Sequence, residues 1–397
     1  MITSKPNRSY ALDIFRGATV ALMILVNNPG SWENIFPALR HAEWHGYTLT
    51  DFVFPFFLFA IGNSLSFVIP KLQQETSSIF WRKIIRRSLL IFGIGILLNW
   101  WPFFQWSDDH LNFKYWENED GSGVRILGVL QRIAIAYFLS SIIAFYWKKK
   151  PIFFLSIGIL LAYWILLKYL GGSDPYSREG YIGRTLDIHL LGIAHVYPWE
   201  NPIIDPEGLL STLPCIPQVL FGYLIGAFLK KKNLQTITFF ETEENTAFHK
   251  CFGLLIIGCS FLLISYFWQL NFPYNKKIWS SSFVLLTTGW AVISLASFIF
   301  VLDILKLNPH YFNFFTVFGK NPLFIYVFSG LLPLGLNLIR IPSDIGYQSP
   351  LSWFYQNICT KISSLAEWNS FFYALFFLIL CWSVAYLLDK KKIYIKV

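Results

Sequence analysis

The chain has 397 residues, 55% hydrophobic and 19% aromatic with 14% charged, and a formal net charge of +9. With a mean hydropathy of +0.48, that balance excludes an ordinary soluble globular protein, whose charged share is about 25%. The basic residues stand in short runs between apolar stretches and do not interleave with aromatics, which explains the charge as membrane anchoring and excludes a nucleic-acid binder.

Apolar runs long enough for a hydrocarbon core of about 30 Å fall at 10–28, 52–70, 86–104, 126–147, 151–169, 209–229, 250–269, 279–305, 311–339 and 367–388. They predict an all-α polytopic integral membrane protein of about ten transmembrane helices with long outer loops. Gly319 to Pro322 reads as a break in the ninth run, which allows an eleventh helix or a re-entrant piece. No linker, low-complexity tract or clear repeat divides the sequence, so residues 1–397 are expected to form a single transmembrane domain. The first run carries Asp13, Arg16, Asn27 and Asn28 and is expected to be a retained helix, not a signal peptide.

Orientation follows from the cations. Lys5 and Arg8, then Lys71 to Arg87, Lys148 to Lys150, Lys230 to Lys232 with Lys250, Lys306, and Lys390 to Lys392 with Lys396 all fall on one side if both termini are cytoplasmic. The opposite loops, 29–51, 105–125 and 170–208, are long and rich in Trp, Gly, Pro and acids, and are expected to fold over the outer mouth of the bundle. The five cysteines show no CxxC spacing, which predicts neither a disulfide framework nor a zinc site.

In the first helix, Asp13 and Arg16 lie about 14 residues, roughly 20 Å, from Asn27 and Asn28, so the helix offers a polar group to each side. Asp13 and Arg16 read either as an i, i+3 ion pair or as an anion-handling mouth. The stretch "HAEWHGYTLTD" then places His41, Glu43, His45 and Asp51 at the lip of the second span. Glu43 is not where an HExxH motif needs it and no third ligand follows, so no metal is expected. A histidine suits proton transfer, while Asp51 begins the helix that follows, where an acid caps it and complements its dipole.

"GSGVRILGVLQRIAIAYF" sets Arg125 at a helix start and Arg132 two turns deeper beside Gln131. An arginine inside a span faces a polar cavity or an acidic partner. "DPEGLLST" supplies Asp205 and Glu207, which suit a polyol or amino-sugar acceptor and are equally ordinary turn chemistry before a helix. "NKKIWSSSFVL" adds Asn275, Lys276, Trp279 and Ser280 in a short outer loop.

In order, "ALDIFRGATVALMILVNNPGSW", "HAEWHGYTLTDFVFPFFLFAIGNSLS", "VRILGVLQRIAIAYF", "DPEGLLST" and "NKKIWSSSFVL" resemble the heparan-alpha-glucosaminide N-acetyltransferase family, lysosomal transmembrane acetyltransferases and their bacterial relatives. The resemblance runs from about Tyr10 to about residue 330. It implies a metal-free acyltransferase that passes an acetyl group from cytosolic acetyl-CoA to a glucosamine amine on the far side. The family's HAxW histidine matches His41, the asparagine ending its first helix matches Asn27, and the aspartate of its "TDFVFPFF" motif matches Asp51, which on this reading orients the imidazole. On this reading Asp13, Arg16, Gln131 and Arg132 are expected along the acetyl-CoA path. Glu43, His45, Arg125, Asp205, Glu207 and Trp279 are expected around the acceptor.

The large luminal extension of the mammalian members is not expected here, and "WHG" stands where they differ. Heparan is therefore not carried over: a bacterial-type protein of the cytoplasmic membrane, acting on periplasmic amino sugars or oligosaccharides, is expected, and a homodimer is among the arrangements left open. The alternative from another class is a transporter of sugars or small anions built around Arg132 and the broken helix.

Overall fold

A computed structural model of the chain describes residues 10–107, 109–230, 243–343 and 346–395. Lys5, Arg8, Lys231, Lys232 and Lys396, part of the orientation argument, lie outside the described residues. The fold is helical because a backbone in hydrocarbon must satisfy its own polar groups, which long apolar runs do as helices.

The helices are α1 (Tyr10–Asn27), α2 (Val53–Leu72), α3 (Ser77–Trp100), α4 (Val129–Tyr146), α5 (Lys149–Leu170), α6 (Ile182–Leu191), α7 (Leu209–Thr212), α8 (Cys215–Leu229), α9 (Glu243–Trp268), α10 (Ser281–Ile299), α11 (Asn313–Lys320), α12 (Pro322–Leu336), α13 (Pro350–Asn357) and α14 (Ala366–Lys390). Two short antiparallel hairpins, Phe104–Ser107 with His110–Phe113 and Ile341–Ser343 with Gly346–Gln348, sit in the connecting loops.

Among the described residues, eight helices are long and apolar enough to cross a membrane, or nine when the bent pair Pro309–Lys320 and Pro322–Leu336 counts as one span. That is fewer than the ten runs read from the sequence. The difference is α3: Arg82, Lys83, Arg86 and Arg87 occupy its first half, leaving an uncharged stretch of about 13 residues, about 20 Å. The expected break in the ninth run is real, a bend of 72° at Asn321 between α11 and α12. The Asn321 amide spans the bend, donating to the Ile393 carbonyl and accepting from the Ile395 N–H.

Small residues bring the helices together. A β-carbon at Gly62 of α2 would fall 1.9 Å from the Val219 carbonyl oxygen of α8, and one at Gly222 would fall 2.2 Å from that of Phe59. The same holds between α1 and α11, where a β-carbon at Gly17 would lie 1.7 Å from the Phe315 oxygen and one at Gly319 would lie 2.5 Å from the Asp13 oxygen. Close backbone approach of this kind is how helices gain packing in lipid, where burial of apolar surface gives little. Gly17→Ala is accordingly expected to cost about 1–3 kcal/mol through overpacking. The check is the thermal unfolding midpoint in lipid, and an unchanged midpoint would show that the seam yields freely.

The long loops gather at one end of the bundle. There the Trp44 Nε1–H donates to the Tyr176 carbonyl at 2.8 Å, the Gly46 N–H to the Tyr274 carbonyl at 2.8 Å, and the Trp106 Nε1–H to the Leu338 carbonyl at 3.1 Å. These bonds tie separate loops into a cap over the bundle.

Candidate active site

A cavity opens beneath this cap. Its polar lining is Asn27 from the last residue of α1, His41 and Thr50 from the loop into α2, Glu207 before α7, Lys276 between α9 and α10, and Tyr326 of α12. Its apolar walls are Met23, Val53, Phe54, Phe57, Val129, Leu130, Ile133 and Leu323. Leu323 lies in the first turn of α12, whose last turns reach the capped end where the Leu331 carbonyl accepts from the Trp101 indole. The apolar wall therefore runs away from the cap into the bundle.

His41 follows the short 3-10 turn Pro37–Leu39, and Asp51 sits in a second one, Leu49–Phe52, leading into α2. The Asp51 carboxylate both caps this turn and meets the His41 ring. Its Oδ2 closes a capping box with Thr48, accepting from the Thr48 N–H at 3.0 Å, and also takes the Ala42 N–H at 3.1 Å. Its Oδ1 lies 2.7 Å from His41 Nδ1. With a carboxylate there, Nδ1 carries the hydrogen, and Nε2 is the nitrogen left to act as a base. Lys276 Nζ stands 3.1 Å from the same Nδ1 and 3.4 Å from Asp51 Oδ1.

Asp51 is 1% exposed while the His41 side chain is 41% exposed, which puts the imidazole at the boundary between buried carboxylate and open cavity. Crowding by protein, and next the Lys276 charge, hold His41 below the ordinary histidine value against the opposing pull of Asp51. Burial likewise holds Lys276 below the usual lysine range.

Behind Glu207 lies a denser charge cluster. Arg125 donates from Nε to Asp205 Oδ2 at 3.0 Å and from Nη2 to Glu207 Oε2 at 2.5 Å, with a further bond from Nη2 to Asp205 Oδ1. Its guanidinium lies over the Tyr197 ring at 4.7 Å. Burial works to raise the Glu207 carboxyl, but the Arg125 and Arg132 cations hold it below the usual range. Nearby Asp187, which caps α7 by accepting the Leu209 N–H at 2.9 Å, is pushed up to about 7 by burial.

The residues singled out in the sequence thus fall into separate places. Asn27, His41 and Glu207 line the cavity, with Asp51 directly behind His41. Arg125 and Asp205 are not part of the lining and brace Glu207 from behind. Arg132 is fully buried, bonded through Nη2 to the Ser211 hydroxyl and the Gly208 carbonyl, with its guanidinium 5.1 Å over the buried Trp279 ring. Gln131 is buried beside it, against Gly95 and Gly128. Glu43 and His45 stay on the exposed loop, where the Glu43 carbonyl accepts from Arg178. Asp13 and Arg16 form their i, i+3 ion pair at 2.9 Å at the opposite end of α1, and Arg16 Nε also donates to the Gly319 carbonyl at 2.9 Å.

Sequence reasoning gave Thr50, Lys276 and Tyr326 no role. Lys276 had a signal, a cation in a short loop otherwise rich in Ser and Asn. Tyr326 had none, since it sits inside an apolar run.

A family model described as "Heparan-alpha-glucosaminide N-acetyltransferase, catalytic" matches residues 8–270. Curated relatives include the heparan-alpha-glucosaminide N-acetyltransferases of Mus musculus, 27% identical over 381 residues, and of Homo sapiens, 26% identical over 387 residues. Each alignment covers 82% of this chain and 53% of the relative, so the chain spans about half the length of the curated relatives it matches. His41, Asp51 and Glu207 fall inside the matched family region, whereas Lys276 and Tyr326 lie beyond it.

Proposed function

The chain belongs to the heparan-alpha-glucosaminide N-acetyltransferase catalytic family, and on that footing we propose that it is a transmembrane acetyltransferase moving an acetyl group from acetyl-CoA to the amine of a glucosamine-type sugar. The observation that carries this reading is the His41–Asp51 pair, 2.7 Å apart, at the mouth of a cavity whose walls are apolar. Side chains such as Phe54, Phe57, Ile133 and Leu323 suit the thin, weakly polar arm of an acyl thioester. The donor supplies an activated acyl carbon, and the protein's part is to place it and to move protons.

His41 Nε2 takes the proton of the acceptor amine as its nitrogen attacks the acyl carbon, and returns a proton to the departing sulfur. Asp51 holds the imidazole in the tautomer that leaves Nε2 free. Asn27, a neutral amide in the lining, donates to the acyl oxygen as charge develops there. Glu207, anchored by Arg125, faces the acceptor amine or hydroxyls. The basic loops face the cytoplasm, as the positive-inside rule requires, so the donor enters from that side and the acceptor from the capped end. In a bacterial-type cytoplasmic membrane that end meets periplasmic amino sugars.

The test is purified protein in lipid with radiolabelled acetyl-CoA and a panel of amino sugars. Labelled acetyl-sugar with release of CoA is the expected result. Unmodified sugar crossing liposomes with no CoA released would replace the enzyme by a transporter.

The lowered proton affinity of His41 also sets a pH dependence. The imidazole is the free base at neutral pH, and protonation as the pH falls removes the base. The acid limb of kcat/KM for acetyl transfer is therefore expected below pH 6.5, the ordinary histidine value. With the ionisation of the acceptor amine measured separately and allowed for, an enzyme acid limb at or above that value would remove His41 as the base.

A further inference from the structure

The cavity presents a cation that the dyad scheme does not use. Lys276 and Lys277 are adjacent, but Lys277 is paired with Glu200, whereas Lys276 has, among the described residues, Asp51 as its only carboxylate within ion-pair distance. The backbone around it is held firmly: Asn275 Oδ1 accepts from the Ile278 N–H at 3.0 Å, the Ser280 hydroxyl from the Asn275 N–H at 3.1 Å, and the Asn275 carbonyl from the Ser280 N–H at 3.0 Å. Trp279, fully buried beneath Arg132, adopts a left-handed φ of 51° within this turn. The turn delivers one ammonium to one place, between His41 Nδ1 and Asp51 Oδ1.

We propose that Lys276 is a positioning residue of this site, whose ammonium shares the Asp51 carboxylate with His41 so that the imidazole enters each cycle uncharged. This inference rests on the acetyltransferase reading and adds to it a residue outside the matched family region. An isolated histidine–carboxylate pair inside a protein favours the imidazolium, and a histidine already protonated cannot take a proton from an amine. With Nδ1–H directed at Asp51, Lys276 cannot donate to Nδ1, because both groups are donors. Its favourable partner is the carboxylate, and its charge 3.1 Å from Nδ1 opposes a second positive charge on the ring. Lys276 thus offsets what Asp51 would otherwise do, while Asp51 still fixes the tautomer.

The charged groups facing His41 are Asp51 from the turn before α2, Lys276 from the α9–α10 loop and Glu207 from the loop before α7. Those facing Lys276 are Asp51, Glu207 and Lys277. Glu207 acts on His41 in the same sense as Asp51 but is paired with Arg125, so removing Lys276 leaves the Asp51 carboxylate at the ring with no ammonium beside it.

The experiment is a pH titration of the full chain in lipid nanodiscs with labelled histidine, following the His41 resonance by NMR and assigning it by its loss in His41→Gln. In the wild type the midpoint falls below 6.5. In Lys276→Met it rises by about one pH unit, a tenfold gain in proton affinity, while Lys276→Arg stays close to the wild type. The acid limb of kcat/KM moves with the midpoint. Lys276→Gln replaces the methionine variant if the latter does not fold. An unmoved His41 midpoint in the neutral variant, or an equal rise in Lys276→Arg, overturns the proposal. Failure of the wild type to acetylate any acceptor would instead count against the enzymatic reading, and the titration would still decide the role of Lys276.

Discussion

His41→Ala is expected to lower kcat for acetyl transfer by about 10²–10⁴-fold, the usual contribution of a positioned general base. The fold should survive, because the imidazole is partly exposed in the cavity and packs in no core cluster. The carboxylate left behind keeps the Ala42 and Thr48 N–H groups and the Lys276 ammonium, so no unpaired buried charge is created. Steady-state rates with acetyl-CoA, read beside the thermal midpoint, check this. A loss of activity matched by an equal loss of folded protein would make His41 structural. If the acetyl group rests on the imidazole during the reaction, rapidly quenched wild-type protein carries an acetyl adduct at His41, and mass spectrometry separates that route from direct transfer.

The second large effect is on stability. Arg125→Met removes a cation bonded to both Asp205 and Glu207, whose side chains are 0% and 13% exposed. Breaking a buried pair by deleting one partner costs about 3–5 kcal/mol, because the remaining charge loses its compensation. Asp205 retains the Tyr197 and Glu207 N–H groups, which softens the loss at that carboxylate but not at Glu207. The Arg125→Met, Asp205→Asn double variant should recover part of the loss, since the two sites are in contact and their effects do not add. Unfolding in lipid or mild detergent measures both. A single variant as stable as the wild type would show that water reaches the cluster and replaces the guanidinium. Because Glu207 lines the cavity, the same substitution should weaken acceptor binding in whatever protein remains folded.

The membrane architecture was legible in the sequence because hydrocarbon permits few solutions: about 20 apolar residues in a row can do little else than span. The break near Gly319 to Pro322 was legible for the same reason. α3 was less so, since hydropathy alone does not weigh four cations clustered in one half of a helix. Within the site, His41 and Asp51 are ten residues apart in a loop, where no periodicity states that they touch. Their pairing was an implication of family resemblance, and the structure supplies the distance. The i, i+3 pair of Asp13 and Arg16 was readable from helical spacing, whereas Lys276 and Tyr326 reach the cavity from distant segments through tertiary packing. Arg132 was legible as a buried intramembrane cation, but not its surroundings: Nη2 bonds the Ser211 hydroxyl and the Gly208 carbonyl, and the guanidinium lies over the Trp279 ring, contacts that come from distant segments.

The contact of Gly17 and Gly319 bears on how the chain can move. Where two helices meet backbone to backbone, no side chains lie between them to change rotamer, so sliding one past the other breaks the contact instead of adjusting it. α1 and α11 therefore travel as one rigid piece, and the Arg16 bond to the Gly319 carbonyl ties α1 to the end of α11 next to Asn321. Any opening at the end that carries Asp13 has to hinge elsewhere, and a hinge at Asn321, where the chain turns by 72°, would first have to give up the amide's bonds to Ile393 and Ile395.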